Sequence, residues 1–262
     1  MRTTIILYRF IWTLNLVASA LVIWRLFSLD LHKQYRFFFA SMVLSVTRTA
    51  LLFPFPATGP TYYMVWVSTQ PLLWLSYISV VAELYFLVLR HYRGIYSLGR
   101  WFFFGAVFLS VVISALTVLP GLGNETVTSN RPMALQYYIF IERGIVTSLA
   151  VFLLLLLAFV SWFSVPLSSN LLRHCAIYSA YFFTNNVIML YWQAGSGKAA
   201  YFSNLAKLSV GFACLMCWVF FLSRRGEDRI ASLHLGRNAV DERRLLTQLE
   251  DFNATLLRAT RK

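Results

Sequence analysis

Long apolar stretches alternate with short polar breaks along most of the chain. Seven such segments can be read, and they cover residues 5–28, 37–55, 62–89, 101–121, 136–165, 171–192 and 200–223. A helix needs about 20 mostly apolar residues to cross the roughly 30 Å hydrocarbon core of a bilayer, where it satisfies its own backbone polar groups. The pattern therefore predicts an all-α fold, a polytopic bundle of seven transmembrane helices over residues 1–223.

The end of the chain, residues 224–262, has a different pattern and mixes basic with acidic side chains. Four apolar residues recur there at spacings of four, three and four, and they are Leu245, Leu249, Phe252 and Leu256. This spacing places them on one face of a helix. We therefore predict a basic cytoplasmic tail with an amphipathic helix. That helix either lies on the lipid bilayer or the bundle, or binds a cytoplasmic protein partner or a second copy through residues 238–260.

Composition agrees with a membrane protein. The chain is 59% hydrophobic and only 13% charged, whereas a soluble domain is about a quarter charged. A net charge of +13 would also suit a nucleic-acid binder. However, most basic residues of 1–223 lie at the ends of apolar segments, which is typical of loops that set membrane topology. We therefore expect no nucleic-acid partner.

The basic residues predict the orientation. They concentrate in every second connection, and the set is Arg25, Lys33, Arg36, Arg90, Arg93, Arg100, Arg173, Arg224 and Arg225. The remaining connections hold only Arg2, Arg131 and Lys198. Because positively charged loops stay in the cytoplasm, the N-terminus is expected outside and the C-terminus inside.

No pattern of catalytic, cofactor or metal-binding residues stands out. Cys214 and Cys217 form a C-x-x-C, but they lie within an apolar segment and are expected to pack as small apolar residues. The four histidines lack the spacing of metal ligands. We therefore predict no enzyme activity, no cofactor and no metal.

Polar residues within the apolar segments are the candidate binding site, because ionisable groups are costly in hydrocarbon. Arg48 lies too far from either end of its segment for its backbone to reach water, and Lys207 shares a helix face with Ser203 and Asn204. Others fall at a similar depth, namely Arg9, Asn15, Gln70, Glu142, Arg143, Asn185 and Asn186. If these faces converge, they form a polar chamber in the outer half of the bundle that suits an anionic ligand. Otherwise, some of them simply lie at the lipid headgroups.

Glu83 is a separate case, near the inner end of the third segment and seven residues before Arg90. We expect it to pair with the basic loop that follows. The alternative is a protonatable switch.

Three stretches carry a resemblance to other proteins. They are ELYFLVLRHYR at 83–93, IER at 141–143 and LLTQLEDFNATLLR at 245–258. With the layout of the whole chain, they resemble an uncharacterised group of bacterial seven-helix integral membrane proteins. The resemblance implies the same fold and a location in the bacterial inner membrane, and it supplies no activity.

Short external connections and a structured tail favour a sensory, signalling or scaffold component that binds its ligand in the bundle itself. The alternative is a transporter or channel for a small anionic solute.

Overall fold

The computed structural model describes residues 2–55, 59–90, 133–163, 167–194, 197–228 and 230–231, single positions between 101 and 112, and residues 247–251, 253–255 and 258 of the tail. Six long helices are present in these ranges, and they are α1 Arg2–Ser28, α2 Arg36–Leu52, α3 Pro60–Leu89, α4 Met133–Phe163, α5 Ser169–Ala194 and α6 Gly197–Phe221. The smaller elements are a 3-10 turn Leu31–Lys33, a short helix α7 Arg225–Asp228, and the strands β1 Leu167–Ser168 and β2 Ile230–Ala231.

The all-α class is confirmed, because each long helix coincides with one of the predicted apolar segments. The fourth segment, 101–121, lies mostly outside the described residues, and residues 238–246 of the predicted tail helix lie outside them as well. Within the described part of the chain, four stretches are long and apolar enough to cross a membrane: Arg9–Ser28, Pro60–Leu89, Ile141–Phe163 and Phe202–Phe221. The chain therefore has the helices of a membrane protein.

The chain divides into two compact units. The first contains Met1–Tyr85 and Leu167–Ala231, and the second contains Phe86–Pro166 and Ser232–Lys262. The predicted boundary between bundle and tail, at residue 224, lies within the first unit, which continues to Ala231.

The first unit is built around α1, α2, α5 and α6. α1 packs against α2 and α6, and α5 packs against α6. Phe38, Phe182 and Leu26 are among the side chains that this packing buries completely. Other large apolar side chains, such as Trp24 and Phe220, are exposed. Exposed apolar surface on this scale is expected of helices whose outer face meets lipid instead of water.

The two strands close the α5–α6 hairpin. β1 precedes α5, β2 follows α7, and they pair antiparallel with Leu167 opposite Ala231 and Ser168 opposite Ile230. The segment after α6 is thereby held beside the start of α5.

The second unit contains α4 and the described positions of the tail. One face of α4 is buried, through Ile145, Leu149, Leu153, Leu156 and Val160. Their spacing of three and four residues is that of a single helix stripe.

Candidate functional site

A cavity of about 270 Å³ lies within the first unit. We call it the central cavity. Its lining comes from five helices, and its main polar and aromatic residues are Trp12, Asn15, Ser19, Ser41, Ser45, Arg48, Thr49, Tyr77, Tyr178, Tyr181 and Trp218. Ligand pockets usually measure about 300–1000 Å³, so this cavity suits a small molecule.

Arg48 is the charged residue of this lining. Its Nε donates a hydrogen bond to Oγ1 of Thr69 at 2.8 Å, and its Nη2 donates to Oε1 of Gln70 at 2.7 Å. Thr69 Oγ1 in turn donates to the carbonyl of Val65 at 2.7 Å, which orients its lone pairs for Arg48. Two neutral acceptors on α3 thus fix the guanidinium of α2 at the cavity wall.

Asn15 joins two walls of the cavity. Its Nδ2 donates to the carbonyl of Ile11 on its own helix at 2.9 Å and to the carbonyl of Leu208 on α6 at 3.0 Å. α6 approaches closely here, because a Cβ at Gly211 would lie 3.3 Å from Oδ1 of Asn15. Glycine at this position therefore lets the two helices meet around a polar side chain.

Four rings form an aromatic layer at one end of the central cavity, and we define it as Phe38, His174, Tyr178 and Trp218. Ring centroids are 4.6 Å apart for Phe38 and His174, 5.0 Å for Phe38 and Trp218, and 4.8 Å for Tyr178 and Trp218. His174 is completely buried, and neither of its ring nitrogens has a hydrogen-bond partner among the described residues. The layer separates the cavity from the polar side chains beyond it.

Beyond the aromatic layer, the carboxylate of Glu227 accepts hydrogen bonds from three side chains, and we call this set the Glu227 network. Tyr35 donates its hydroxyl at 3.1 Å, Asn170 donates its amide at 3.0 Å, and Gln34 also donates its amide. Burial raises the pKa of Tyr35, and the nearby negative charge of Glu227 raises it further. The phenol therefore remains a donor, and the network ties α7 to the starts of α2 and α5.

At the same end of the first unit, three side chains cap the C-terminus of α6. Arg25 donates to the carbonyl of Leu222 through Nε at 3.0 Å and Nη2 at 2.8 Å. Asn170 donates to the carbonyl of Ser223 at 2.7 Å, and Arg173 donates to that of Phe221. The last carbonyls of a helix lack partners and carry partial negative charge, so basic side chains stabilise them.

Glu83 caps another helix. Its Oε1 accepts the backbone N–H of Phe37 and its Oε2 accepts that of Phe38, both at 3.0 Å. These amides belong to the first turn of α2, whose N-cap residue Tyr35 makes no side-chain cap bond. Glu83 therefore supplies the cap from α3. Arg90, its expected neighbour in the basic loop, is exposed, and residues 91–100 lie outside the described residues.

Within the first unit, the structure brings together only part of the predicted chamber. Arg48 and Asn15 line the central cavity, and Gln70 holds Arg48. Asn185 and Asn186 instead donate to carbonyls of their own helix, those of Tyr181 at 2.9 Å and Phe182 at 3.1 Å.

The remaining predicted residues of the first unit do not line the central cavity, and Glu142 and Arg143 belong to the second unit. Ser203 is buried in an apolar groove between α5 and α6, Asn204 and Arg9 are exposed, and Lys207 is half-buried on α6. Glu142 and Arg143 are half-buried on α4, in the second unit.

Several lining residues were missed from the sequence, among them Ser41, Ser45, Tyr178 and Trp218. A signal existed on α2, because Ser41, Ser45 and Arg48 recur at spacings of four and three and so share one face. The aromatic residues had no such signal, since they resemble ordinary packing residues.

No family model, curated protein or solved structure matches the chain. The resemblance to bacterial seven-helix membrane proteins therefore stays a prediction. Within the described residues, no group of three His, Cys, Asp or Glu side chains could hold a metal ion.

Proposed function

We propose that this chain is a multi-pass sensory or signalling protein whose central cavity binds a small anionic organic ligand beside Arg48. The observation that carries the proposal is the guanidinium of Arg48, held by Thr69 and Gln70 at the wall of a cavity of about 270 Å³. A fixed guanidinium is well suited to a carboxylate, because its planar donors match the two carboxylate oxygens. Ser45 lines the same cavity, and its hydroxyl adds a neutral donor.

The arrangement of α2 supports signalling. This helix carries Arg48 at the cavity and begins beside Tyr35, which donates to Glu227 at the start of the tail. A ligand that draws Arg48 away from Gln70 would move α2 relative to α3 and α7. A ligand shifts such an equilibrium only by its difference in affinity for the two states. The tail would then pass the change to a cytoplasmic protein through residues 238–260.

The membrane arrangement belongs to the same proposal, with seven spans, an external N-terminus and a bacterial inner-membrane location. Arg25, Arg173 and Arg224 all lie at the end of the first unit that holds the Glu227 network. The positive-inside rule places such an end in the cytoplasm. Labelling of single cysteines at positions 2 and 262 in intact cells tests this, with position 2 reactive and position 262 protected.

Thermal unfolding of the full chain in detergent tests ligand binding. Cinnamate should raise the unfolding temperature and the uncharged cinnamamide should not, because only the carboxylate can pair with Arg48. A ligand at 100 times its dissociation constant stabilises by about 2.7 kcal/mol. Arg48→Gln should abolish the effect, whereas Arg9→Gln, which removes an exposed cation outside the cavity, should preserve it. Equal shifts with the acid and the amide would contradict the proposal.

A transporter or channel for a small anionic solute is the second candidate, because the same cavity lies inside a helix bundle. The solute would then have to pass the aromatic layer at one end of the cavity. Uptake of radiolabelled cinnamate by proteoliposomes, lost in Arg48→Gln, would favour transport over sensing.

A further inference from the structure

Trp218 is a second polar group at the wall of the central cavity. It lines the cavity and is only 3% exposed. Its indole N–H has no hydrogen-bond partner among the described residues. Buried donors in native proteins are nearly always satisfied, so an orphaned one calls for an explanation such as a missing ligand. The indole can only donate, so whatever satisfies it must be an acceptor.

We propose that the ligand of the central cavity has two polar ends, an anionic group beside Arg48 and a hydrogen-bond acceptor that receives the indole N–H of Trp218. This inference rests on the proposed function, because it assumes an anion at Arg48. It adds the hydrogen-bonding chemistry of the ligand's other end, which lies opposite the anionic group.

The two groups lie at different levels of the bundle. Trp218 packs on Phe38, with 5.0 Å between ring centroids, and Arg48 follows Phe38 by ten residues on the same helix. At 1.5 Å per residue these levels are about 15 Å apart along the axis. The side chains of Arg48 and Trp218 occupy part of that distance, which leaves room for a ligand on the order of 10 Å long.

The wall between the two ends favours a flat apolar body. Tyr77, Tyr178 and Tyr181 all line the cavity. The hydroxyls of Tyr77 and Tyr181 lie 3.3 Å apart and bond to each other, and aromatic rings attract other rings through offset or edge-to-face contact. The ligand class is therefore an aromatic carboxylate that carries an oxygen at the end of the ring remote from the carboxylate.

Two small ligands of nearly equal size test for the hydrogen-bond acceptor at the Trp218 end. 4-Methoxycinnamate carries an ether oxygen that can accept the indole N–H, and 4-methylcinnamate carries no acceptor at that position. Calorimetric titration of the full chain in detergent should show 4-methoxycinnamate binding about fivefold to tenfold more tightly, as one additional hydrogen bond gives. Trp218→Phe keeps a ring and removes the N–H, so it should make the two probes equal.

Trp12→Phe is the matched control, because Trp12 is the other tryptophan of the lining. It should leave the preference for the methoxy probe intact. The comparison of the two probes on the unaltered chain decides the inference even where Trp218→Phe fails to fold.

The outcomes separate the two proposals. If both probes bind through Arg48 with equal affinity, the Trp218 inference is overturned and the proposed function stands. If neither probe binds, or if both bind equally well to Arg48→Gln, the proposed function fails and the inference fails with it.

Discussion

Removal of the Glu83 carboxylate should loosen the start of α2. The first amides of any helix have no partner within the helix, and here two of them are satisfied by Glu83 at 3.0 Å each. A hydrogen bond to a charged group contributes about 1.5–3 kcal/mol. Glu83→Ala removes both bonds and should lower the free energy of unfolding by about 3–6 kcal/mol. Glu83→Gln retains one acceptor oxygen, so it should cost about half as much.

Two measurements test this expectation. Thermal or denaturant unfolding in detergent gives the global loss, and amide hydrogen exchange over residues 36–40 shows whether the loss is local to α2. Exchange there should accelerate most in Glu83→Ala. Asp30→Asn is the control, because Asp30 is an exposed acid that pairs only with Lys33, at 3.1 Å, among the contacts described, and surface pairs of this kind contribute little.

A particular result would refute the reasoning about Glu83. If Glu83→Ala unfolds at the same temperature as the parent chain and residues 36–40 exchange no faster, the carboxylate does not hold the first turn of α2. If Asp30→Asn were as damaging as Glu83→Ala, the effect would be one of net charge instead of capping.

Three further changes probe the other contacts. Arg25→Met removes both bonds to the carbonyl of Leu222 and should lower stability by about 1.5–3 kcal/mol, measured by unfolding at two salt concentrations to exclude a general charge effect. Asn15→Leu removes the link between α1 and α6 and should cost about 1 kcal/mol, visible as a lower unfolding temperature. Burial raises the pKa of Tyr35 above its ordinary value of 10, so its contribution is present below that pH and is lost as pH rises further. Tyr35→Phe should therefore make the decline of stability above about pH 10 shallower, and an unchanged slope would contradict this assignment.

The helices were predictable from the sequence, and their side-chain partners were not. An apolar segment of sufficient length predicts a helix whatever its neighbours are. α1 and α3 are apolar on nearly all sides, so nothing in their pattern indicates which face turns inward. Arg48 could be singled out because its depth in the segment keeps its backbone away from water at either end. Its acceptors Thr69 and Gln70 could not be predicted, because the direction in which they point depends on the rotation of α3.

The same limit explains Glu83 and Asn185. Glu83 bonds to amides 45 and 46 residues away, and no local spacing reports such a contact. Asn185 satisfies its amide on the carbonyl of Tyr181, a choice that every asparagine in a helix has and that no sequence pattern reveals. The predicted chamber assumed that such residues face one another.

The contact between Asn170 and Gly226 has a consequence for the evolution of this chain. Asn170 is completely buried, and its amide bonds Ser223 and Glu227. A Cβ at position 226 would overlap Oδ1 of Asn170, and the amide cannot turn away without losing both bonds. Positions 170 and 226 should therefore vary as a pair among descendants of a common ancestor, and an alanine at 226 should be tolerated only where a smaller residue has replaced the asparagine.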